Sequence, residues 1–289
     1  MQKLPKVDCY ILGTAYCGST LLGSALNRHP QIAYVGELSR AEGYNDKYSL
    51  YNSSAQCMEC MIGDKQCDFI SKRFIEKTSV MSPPEAHDYL RKSFKKPIIV
   101  DGSKYPSWLR IAASSKNFTT SAKVIIVSRS PSSHLASCSS RKIEPLWVEA
   151  NAWRDTYYDA IRTVNQLGLS SLVVRHEDYI SNPTKSLTQI CEYLGVKYKK
   201  SMQEPSSTQL HAIGGNPGAY LGSDNRKDIL ERAKSLGQVD FDINPSRLKN
   251  KLFYAVKNKS EQARLRQMAF ESPGLVDVAS QLGYQYKDF

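Results

Sequence analysis

The sequence predicts an α/β fold: a single domain in which a central, mostly parallel sheet is flanked by helices. Short apolar, β-branched runs alternate with segments whose apolar residues recur at three- and four-residue spacing. The 289 residues are 41% hydrophobic, which is enough to bury one large core. The chain shows no internal repeat and no linker rich in Pro, Gly or Ser. We therefore predict that residues 1–289 form one domain.

Four apolar runs predict strands buried on both faces, as parallel strands are. They are VDCYIL (7–12), PIIV (97–100), KVIIV (123–127) and SLVVR (171–175). Between these runs, apolar residues recur at three- and four-residue spacing and predict helices. These segments are 19–29, 84–94, 107–115, 130–141 and 144–168.

Two further segments carry helix signals. Asn182 and Pro183 are typical of an N-cap and first turn, and Gly195 is typical of the helix end that follows. Residues 221–289 are predicted to be a helical C-terminal part, with a break at Pro273 and Gly274.

The formal net charge of +11 indicates an anionic partner, which leaves nucleic acid, an anionic membrane surface or a phosphorylated cofactor open. No nucleic-acid-binding module is recognisable, so we expect no nucleic-acid partner.

The N-terminus does not resemble a signal peptide, and no stretch of 18 apolar residues occurs. Seven cysteines, an odd number, favour a reducing compartment. The sequence thus predicts a cytoplasmic protein without a transmembrane segment.

The segment GTAYCGST (13–20) has the spacing of a phosphate-binding loop between a strand and a helix. Gly13 and Gly18 permit a tight turn, and Ser19 and Thr20 supply hydroxyl donors at the helix start. Ser19 stands where nucleoside triphosphatases have lysine, and no nearby strand ends in a magnesium-binding Asp. A triphosphate is therefore disfavoured, while a simple strand-to-helix turn remains the alternative.

A second anion-binding pattern lies in KVIIVSRSPSSHLASCSSR (123–141). Arg129 follows the strand, Pro131 begins a helix, and Ser137 lies two turns into it. An arginine fork binds a phosphate monoester bidentately, and a serine hydroxyl adds one donor. We expect Arg129 and Ser137 to meet on one phosphate.

These two elements, in this order, resemble the cofactor-binding motifs of sulfotransferases that use 3′-phosphoadenosine 5′-phosphosulfate (PAPS). The resemblance implies a P-loop-NTPase-like fold, PAPS as donor, 3′,5′-adenosine bisphosphate (PAP) as product, and no metal requirement. It assigns the 3′-phosphate to Arg129 and Ser137. It assigns the 5′-phosphosulfate to the first loop, namely Gly13, Tyr16, Cys17, Gly18, Ser19 and Thr20.

Other stretches extend the resemblance over residues 7–220. They are LNRHPQIAYVGEL (26–38), VDGSKYPSWL (100–109), VVRHEDYISNPTKSLTQICEYLGV (173–196) and HAIGGNPGA (211–219). The last is similar to a loop that closes over the nucleotide, which implies cofactor binding by Gly215 and Asn216.

The resemblance also implies the catalytic groups. Glu37 matches the acidic residue that serves as base in carbohydrate-directed members, and His176 is the reserve base. The family has Arg or Lys at the position of Tyr16, so we expect Lys104 to replace that charge. Because Tyr16 replaces the basic residue, a protein that binds PAPS but has lost catalytic activity remains the alternative.

Cys57, Cys60 and Cys67 form a cluster that resembles a Cys-rich insertion of bacterial sulfotransferases. Three thiolates attract zinc, but a closed structural site needs four ligands and no second C-x-x-C follows. We expect reduced thiols or one disulfide here and no metal, and bound zinc is the alternative.

The predicted function is transfer of a sulfuryl group from PAPS to an acceptor hydroxyl on a carbohydrate, glycolipid or glycan. A lipid or small-molecule alcohol is the alternative acceptor. A P-loop kinase is the alternative from another class, and it requires the lysine that Ser19 replaces.

Overall fold

The computed structural model describes residues 6–41, 57, 60, 67, 69–143, 145–203, 210–215 and 259–289. Its five-stranded sheet has the spatial order β2-β3-β1-β4-β5, and every neighbouring pair is parallel. The strands are β1 (Val7–Leu12), β2 (Ile32–Gly36), β3 (Ile98–Lys104), β4 (Lys123–Ser128) and β5 (Ser171–Arg175).

The apolar pattern predicts four of these strands and misses β2. The run of β2 is only five residues long and includes Ala33 and Gly36, both of which are weak strand formers. Burial against β3 decides its conformation instead, since all five residues are buried.

Ten α-helices accompany the sheet in the described part of the chain. They are α1 (Ser19–Asn27), α2 (Lys72–Thr78), α3 (Pro83–Phe94), α4 (Pro106–Ala113), α5 (Pro131–Ser139), α6 (Leu146–Gln166), α7 (His176–Ser181), α8 (Pro183–Leu194), α9 (Lys259–Glu271) and α10 (Leu275–Gln281). None of these helices is long and apolar enough to cross a membrane.

The predicted helix signals at α8 and α10 are confirmed. The side chain of Asn182 accepts a hydrogen bond from the Lys185 amide at 3.0 Å, and Gly195 ends α8 with φ 77°. Gly274, with φ 73°, separates α9 from α10. Of the predicted helical C-terminal part, residues 221–258 lie outside the described residues.

The sheet is covered on both faces, so that the fold has three layers. Tyr10 and Leu12 of β1 pack into the cluster that contains Trp153 of α6. Cys9 and Ile11, which point to the opposite face, pack into the cluster of α1 and α8. Residues 9–12 of β1 are thus all buried, which explains the apolar run at these four positions.

A buried ion cluster fixes the start of β1 against α3. The ring of His87 is fully buried and lies 3.2 Å from Asp8 and 3.4 Å from Asp101. Asp101 also accepts a hydrogen bond from the Trp108 indole at 2.7 Å. Burial alone lowers the pKa of His87, but the hydrogen bonds and charges of Asp101 and Asp8 outweigh it and raise the pKa to about 9.

The stability of the chain is expected to fall between pH 6.5 and 9 because of His87. A pKa raised in the folded state contributes stability that is complete below the unfolded value and is lost as the pH rises through about 9. The loss is roughly 3 kcal/mol in the free energy of unfolding. Urea unfolding of the wild type and of His87→Gln at both pH values measures it. An equal pH dependence in the two proteins contradicts this role.

Candidate active site

The predicted site residues follow the carboxyl ends of the five strands, at one edge of the sheet. Across this edge, in spatial order, Glu37 follows β2, Lys104 ends β3, the 13–20 loop follows β1, Arg129 follows β4 and His176 follows β5. Ligands of open parallel sheets bind at this edge. A carboxylate and an amine therefore lie on one side of the loop, and an arginine and a histidine lie on the other.

The 13–20 loop is held tightly by its surroundings. The Gly13 amide donates to the Lys104 carbonyl at 3.2 Å, and a Cβ on Gly13 would lie 2.5 Å from the Val127 carbonyl oxygen. Gly18 has φ 99°, and a Cβ there would lie 2.4 Å from Nδ1 of His176. Only glycine fits both positions.

The loop has the backbone shape of an anion cradle. Tyr16 has φ 61° although it is not glycine, and Gly18 also lies in the left-handed region before α1 begins at Ser19. Alternating right- and left-handed residues turn successive N–H groups toward one point, and the helix start adds its own. The donor set therefore suits a phosphate or sulfate, as the sequence predicts.

Arg129 follows β4, and α5, which carries Ser137, begins two residues later. The Arg129 carbonyl accepts from the indole of Trp153 at 3.0 Å, which fixes the backbone where β4 ends. Both Arg129 and Ser137 are buried. The Arg129 charge also contributes to the pKa shift of His134 on α5, which places the guanidinium near that helix.

His176 packs against the loop and is neutral. Burial and, secondarily, the charge of Arg129 lower the pKa of His176 to about 4. The two acids that follow it bind other groups. Glu177 accepts from the Ser130 amide at 2.9 Å, and Asp178 pairs with Arg175 at 2.7 Å. His176 is therefore held as a neutral ring beside Gly18.

Arg141, which the sequence analysis does not single out, links the two anion-binding motifs. Its guanidinium lies 4.3 Å from the centre of the Tyr16 ring. It also donates to the hydroxyl and, at 2.7 Å, to the carbonyl of Ser137. The signal is present in the sequence, because Arg141 follows Ser137 by four residues, one helical turn.

On the other side of the loop, Glu37 and Lys104 form a buried ion pair. The Lys104 amine donates to Oε1 of Glu37, and Arg40 donates to Oε2. Burial raises the pKa of Glu37, but the charges and hydrogen bonds of Lys104 and Arg40 outweigh it and leave the pKa lowered. Burial lowers the pKa of Lys104, but Glu37 outweighs it and leaves that pKa raised. Glu37 is thus ionised and Lys104 is protonated at neutral pH.

Lys104 has the conformation and neighbours of a site residue. Its φ is 72°, which is unfavourable for a residue with a Cβ and recurs at functional sites. Its charge lowers the pKa of Tyr16 and Cys17 against the larger effect of their burial. The amine is therefore close to the loop, where the sequence predicts the replacement charge.

Residues 210–215 dock on the end of β2 beside Glu37. The Glu37 amide donates to the Ile213 carbonyl at 2.7 Å, and the Ile213 amide donates to Val35 at 2.9 Å. A Cβ on Gly36 would lie 2.2 Å from the Ile213 carbonyl oxygen. Gly215 belongs to this loop, with φ 98°. Asn216 lies outside the described residues, so nucleotide binding by this loop stays a prediction.

The C-terminal part of the chain also reaches this edge of the sheet. The Tyr284 hydroxyl donates to Glu177 at 3.1 Å and hydrogen-bonds Ser128, the last residue of β4, at 3.1 Å. The family resemblance found in the sequence does not cover this segment.

The structure places a histidine, which the sequence does not associate with the cysteines, beside the cysteine cluster. Nδ1 of His211 lies 3.6 Å from Sγ of Cys57, 3.5 Å from Cys60 and 3.3 Å from Cys67. His211 is 144 residues from Cys67 in the chain, so spacing gives no sign of it. An isolated antiparallel β-bridge between Cys57 and Ile213 brings His211 close to the cysteines.

Comparisons with known proteins agree with this geometry. The sulfotransferase domain of the olefin synthase from Synechococcus PCC 7002 is 20% identical, with a TM-score of 0.60 over 84% of this chain and 98% of that domain. The sulfotransferase domain from the curacin biosynthetic pathway is 19% identical, with a TM-score of 0.60 over 98% of this chain and 99% of that domain. These likenesses establish a shared fold. No curated protein matches this chain.

The sequence model of the sulfotransferase family matches residues 9–200, which is more than half of the chain. The match contains the 13–20 loop, Glu37, Lys104, Arg129 and His176. This chain belongs to the sulfotransferase family, enzymes that generally use PAPS as sulfuryl donor.

Proposed function

We propose that the chain transfers the sulfuryl group of PAPS to a hydroxyl of a carbohydrate, glycolipid or glycan. The observation that carries this proposal is that an anion-binding site and a buried ion pair lie at the same edge of the sheet. The anion cradle and Arg129 suit a nucleotide with phosphates at both ends, and the Glu37–Lys104 pair lies beside the cradle.

The residues present fit the donor. The N–H groups of the 13–20 loop and the hydroxyls of Ser19 and Thr20 would hold the 5′-phosphosulfate. Arg129, Ser137 and Arg141 would together hold the 3′-phosphate by charge-assisted hydrogen bonds. Arg141 already donates to the Ser137 hydroxyl. Bound PAPS supplies an activated sulfuryl group and a stable leaving group.

Lys104 supplies positive charge at the reacting end of the site. Its amine stays protonated because Glu37 raises its pKa more than burial lowers it. A fixed cation in a buried site stabilises charge that develops in the transition state more strongly than one in water. Lys104 therefore takes the part of the basic loop residue that Tyr16 replaces.

Glu37 accepts the proton of the acceptor hydroxyl. Its carboxylate is ionised, and its backbone is held by the Ile213 carbonyl. His176 is a weaker candidate for this part, because it follows β5, on the opposite side of the loop from Lys104. We assign His176 to packing against the cofactor loop.

Replacement of Arg141 with alanine is expected to raise the dissociation constant for PAP by about 10- to 100-fold, since it removes charge-assisted hydrogen bonds. Tyr16→Arg is expected to leave the rate unchanged, because protonated Lys104 already supplies the positive charge that the loop lacks. Calorimetric titration and initial rates measure these effects, with the exposed Arg162→Ala as control. A gain in rate for Tyr16→Arg would show that the charge is missing.

The experiment for the acceptor is transfer of label from radioactive PAPS to a panel of hydroxyl compounds. Oligosaccharides and glycolipids are expected to become labelled, and labelling should disappear in Lys104→Ala. A lipid or small-molecule alcohol is the second candidate, because the two structural neighbours belong to an olefin synthase and to the curacin pathway. Labelling of simple alcohols alone selects that candidate. PAP binding without any transfer selects the inactive relative.

The proposal also covers the domain organisation and the location of the chain. We keep residues 1–289 as one sulfotransferase domain, in which the contacts of Tyr284 join the C-terminal part to the site. We also keep the cytoplasmic location that the cysteine content predicts.

A further inference from the structure

Four metal-binding side chains converge next to the candidate active site. The Sγ atoms of Cys57, Cys60 and Cys67 and Nδ1 of His211 all lie within 4.8 Å of one another. The three distances from sulfur to nitrogen are nearly equal, at 3.6, 3.5 and 3.3 Å. The nitrogen is thus nearly equidistant from the three sulfurs, as expected when the four atoms are ligands of one tetrahedral metal ion.

These dimensions match a zinc site. Zn–S bonds of about 2.3 Å and Zn–N bonds of about 2.0 Å at tetrahedral angles place sulfur and nitrogen about 3.5 Å apart. Three cysteines with one histidine is also a ligand set of structural zinc sites. We propose that Cys57, Cys60, Cys67 and His211 bind one Zn²⁺ ion.

Groups around the four ligands support this assignment. The Ile70 amide donates to Sγ of Cys67 at 3.2 Å, a contact that stabilises thiolate charge. The Phe69 ring packs on the His211 ring at 4.6 Å and stacks on Phe94 at 4.9 Å. The imidazole is thereby held with Nδ1 toward the sulfurs.

The site is structural, because four protein ligands close the coordination sphere and leave no position for a substrate. It joins the cysteine segment to residues 210–215, which lie far apart in the chain. Ile213, two residues after His211, hydrogen-bonds Val35 and Glu37 of the β2 edge. The metal thus holds the backbone beside Glu37. This inference does not depend on the proposed function, and it gives the metal no part in sulfuryl transfer.

The first test is the metal content of the full-length wild-type chain, purified without chelator and analysed by inductively coupled plasma mass spectrometry. We expect one zinc per chain. Reconstitution with Co²⁺ should give a sulfur-to-cobalt charge-transfer band and the strong visible absorption of tetrahedral cobalt. A chain without zinc that also fails to give these bands after reduction overturns the proposal. A disulfide within the cluster, detected by mass spectrometry in the untreated protein, does so as well.

Variants then identify the ligands. Cys67→Ala and His211→Ala are expected to lose at least nine-tenths of the zinc, whereas His211→Cys keeps four ligands and should retain it. Cys191→Ala is the matched control, because Cys191 is a buried cysteine on α8. Zinc retained by His211→Ala, or lost equally from Cys191→Ala, contradicts the assignment. If the alanine variants do not fold, the wild-type zinc content and cobalt spectrum decide.

Discussion

Arg129→Ala is expected to weaken PAP binding by tens- to thousands-fold, the largest loss of affinity from any single change. The variant removes a charge-assisted, bidentate contact to a phosphate, which is worth about 2 to 5 kcal/mol. Arg129 is buried, so water restores little of what is lost. Calorimetric titration with PAP measures the change.

Two comparisons make this test specific for the 3′-phosphate. AMP, which lacks that phosphate, should bind the wild type and Arg129→Ala with similar affinity. The exposed Arg162→Ala should bind PAP as the wild type does. A loss of affinity for AMP as large as that for PAP would mean that the variant damages the whole site, and thermal unfolding of the variant would then show a lower midpoint.

Glu37→Gln is expected to lower kcat by about 10²- to 10⁴-fold, the usual contribution of a general base. PAP affinity should stay nearly unchanged, because Gln keeps the size of the side chain and still accepts a hydrogen bond from Lys104 or Arg40. Initial rates at saturating PAPS, together with a PAP titration, separate the two quantities.

The pH profile identifies the base in the wild type. A base acts when deprotonated, so kcat/KM rises with pH through its pKa. Burial raises the pKa of Glu37, but Lys104 and Arg40 outweigh it and leave the pKa lowered, so the acid limb should lie below the ordinary range of a glutamate and should disappear in Glu37→Gln. Glu192→Gln, on the exposed face of α8, is the control. A large loss of PAP affinity in Glu37→Gln with kcat unchanged would remove Glu37 from the role of base.

The sequence predicts the frame of the site well because its signals are local. The apolar runs of β1 and β5 match the observed strands, and the helix signals at Asn182 and Gly195 match α8. The carboxyl ends of parallel strands meet by geometry, so Lys104 and Arg129 come to one edge once the strands are known.

What the sequence does not predict depends on contacts between distant segments. The strand β2 forms because β3 buries it, and its own residues are weak strand formers. His211 lies beside three cysteines because a backbone β-bridge pairs Ile213 with Cys57. The buried pair of Glu37 and Lys104 is likewise a tertiary contact, although each residue alone is predicted as part of the site.

The central claim is that the loop without a lysine binds a phosphate joined to sulfate in PAPS, and not a triphosphate. The most direct measurement is calorimetric titration of the wild type with PAP and, in parallel, with ATP and magnesium. We expect micromolar binding of PAP and much weaker binding of ATP. Tight binding of ATP with no binding of PAP would contradict this account and support a kinase.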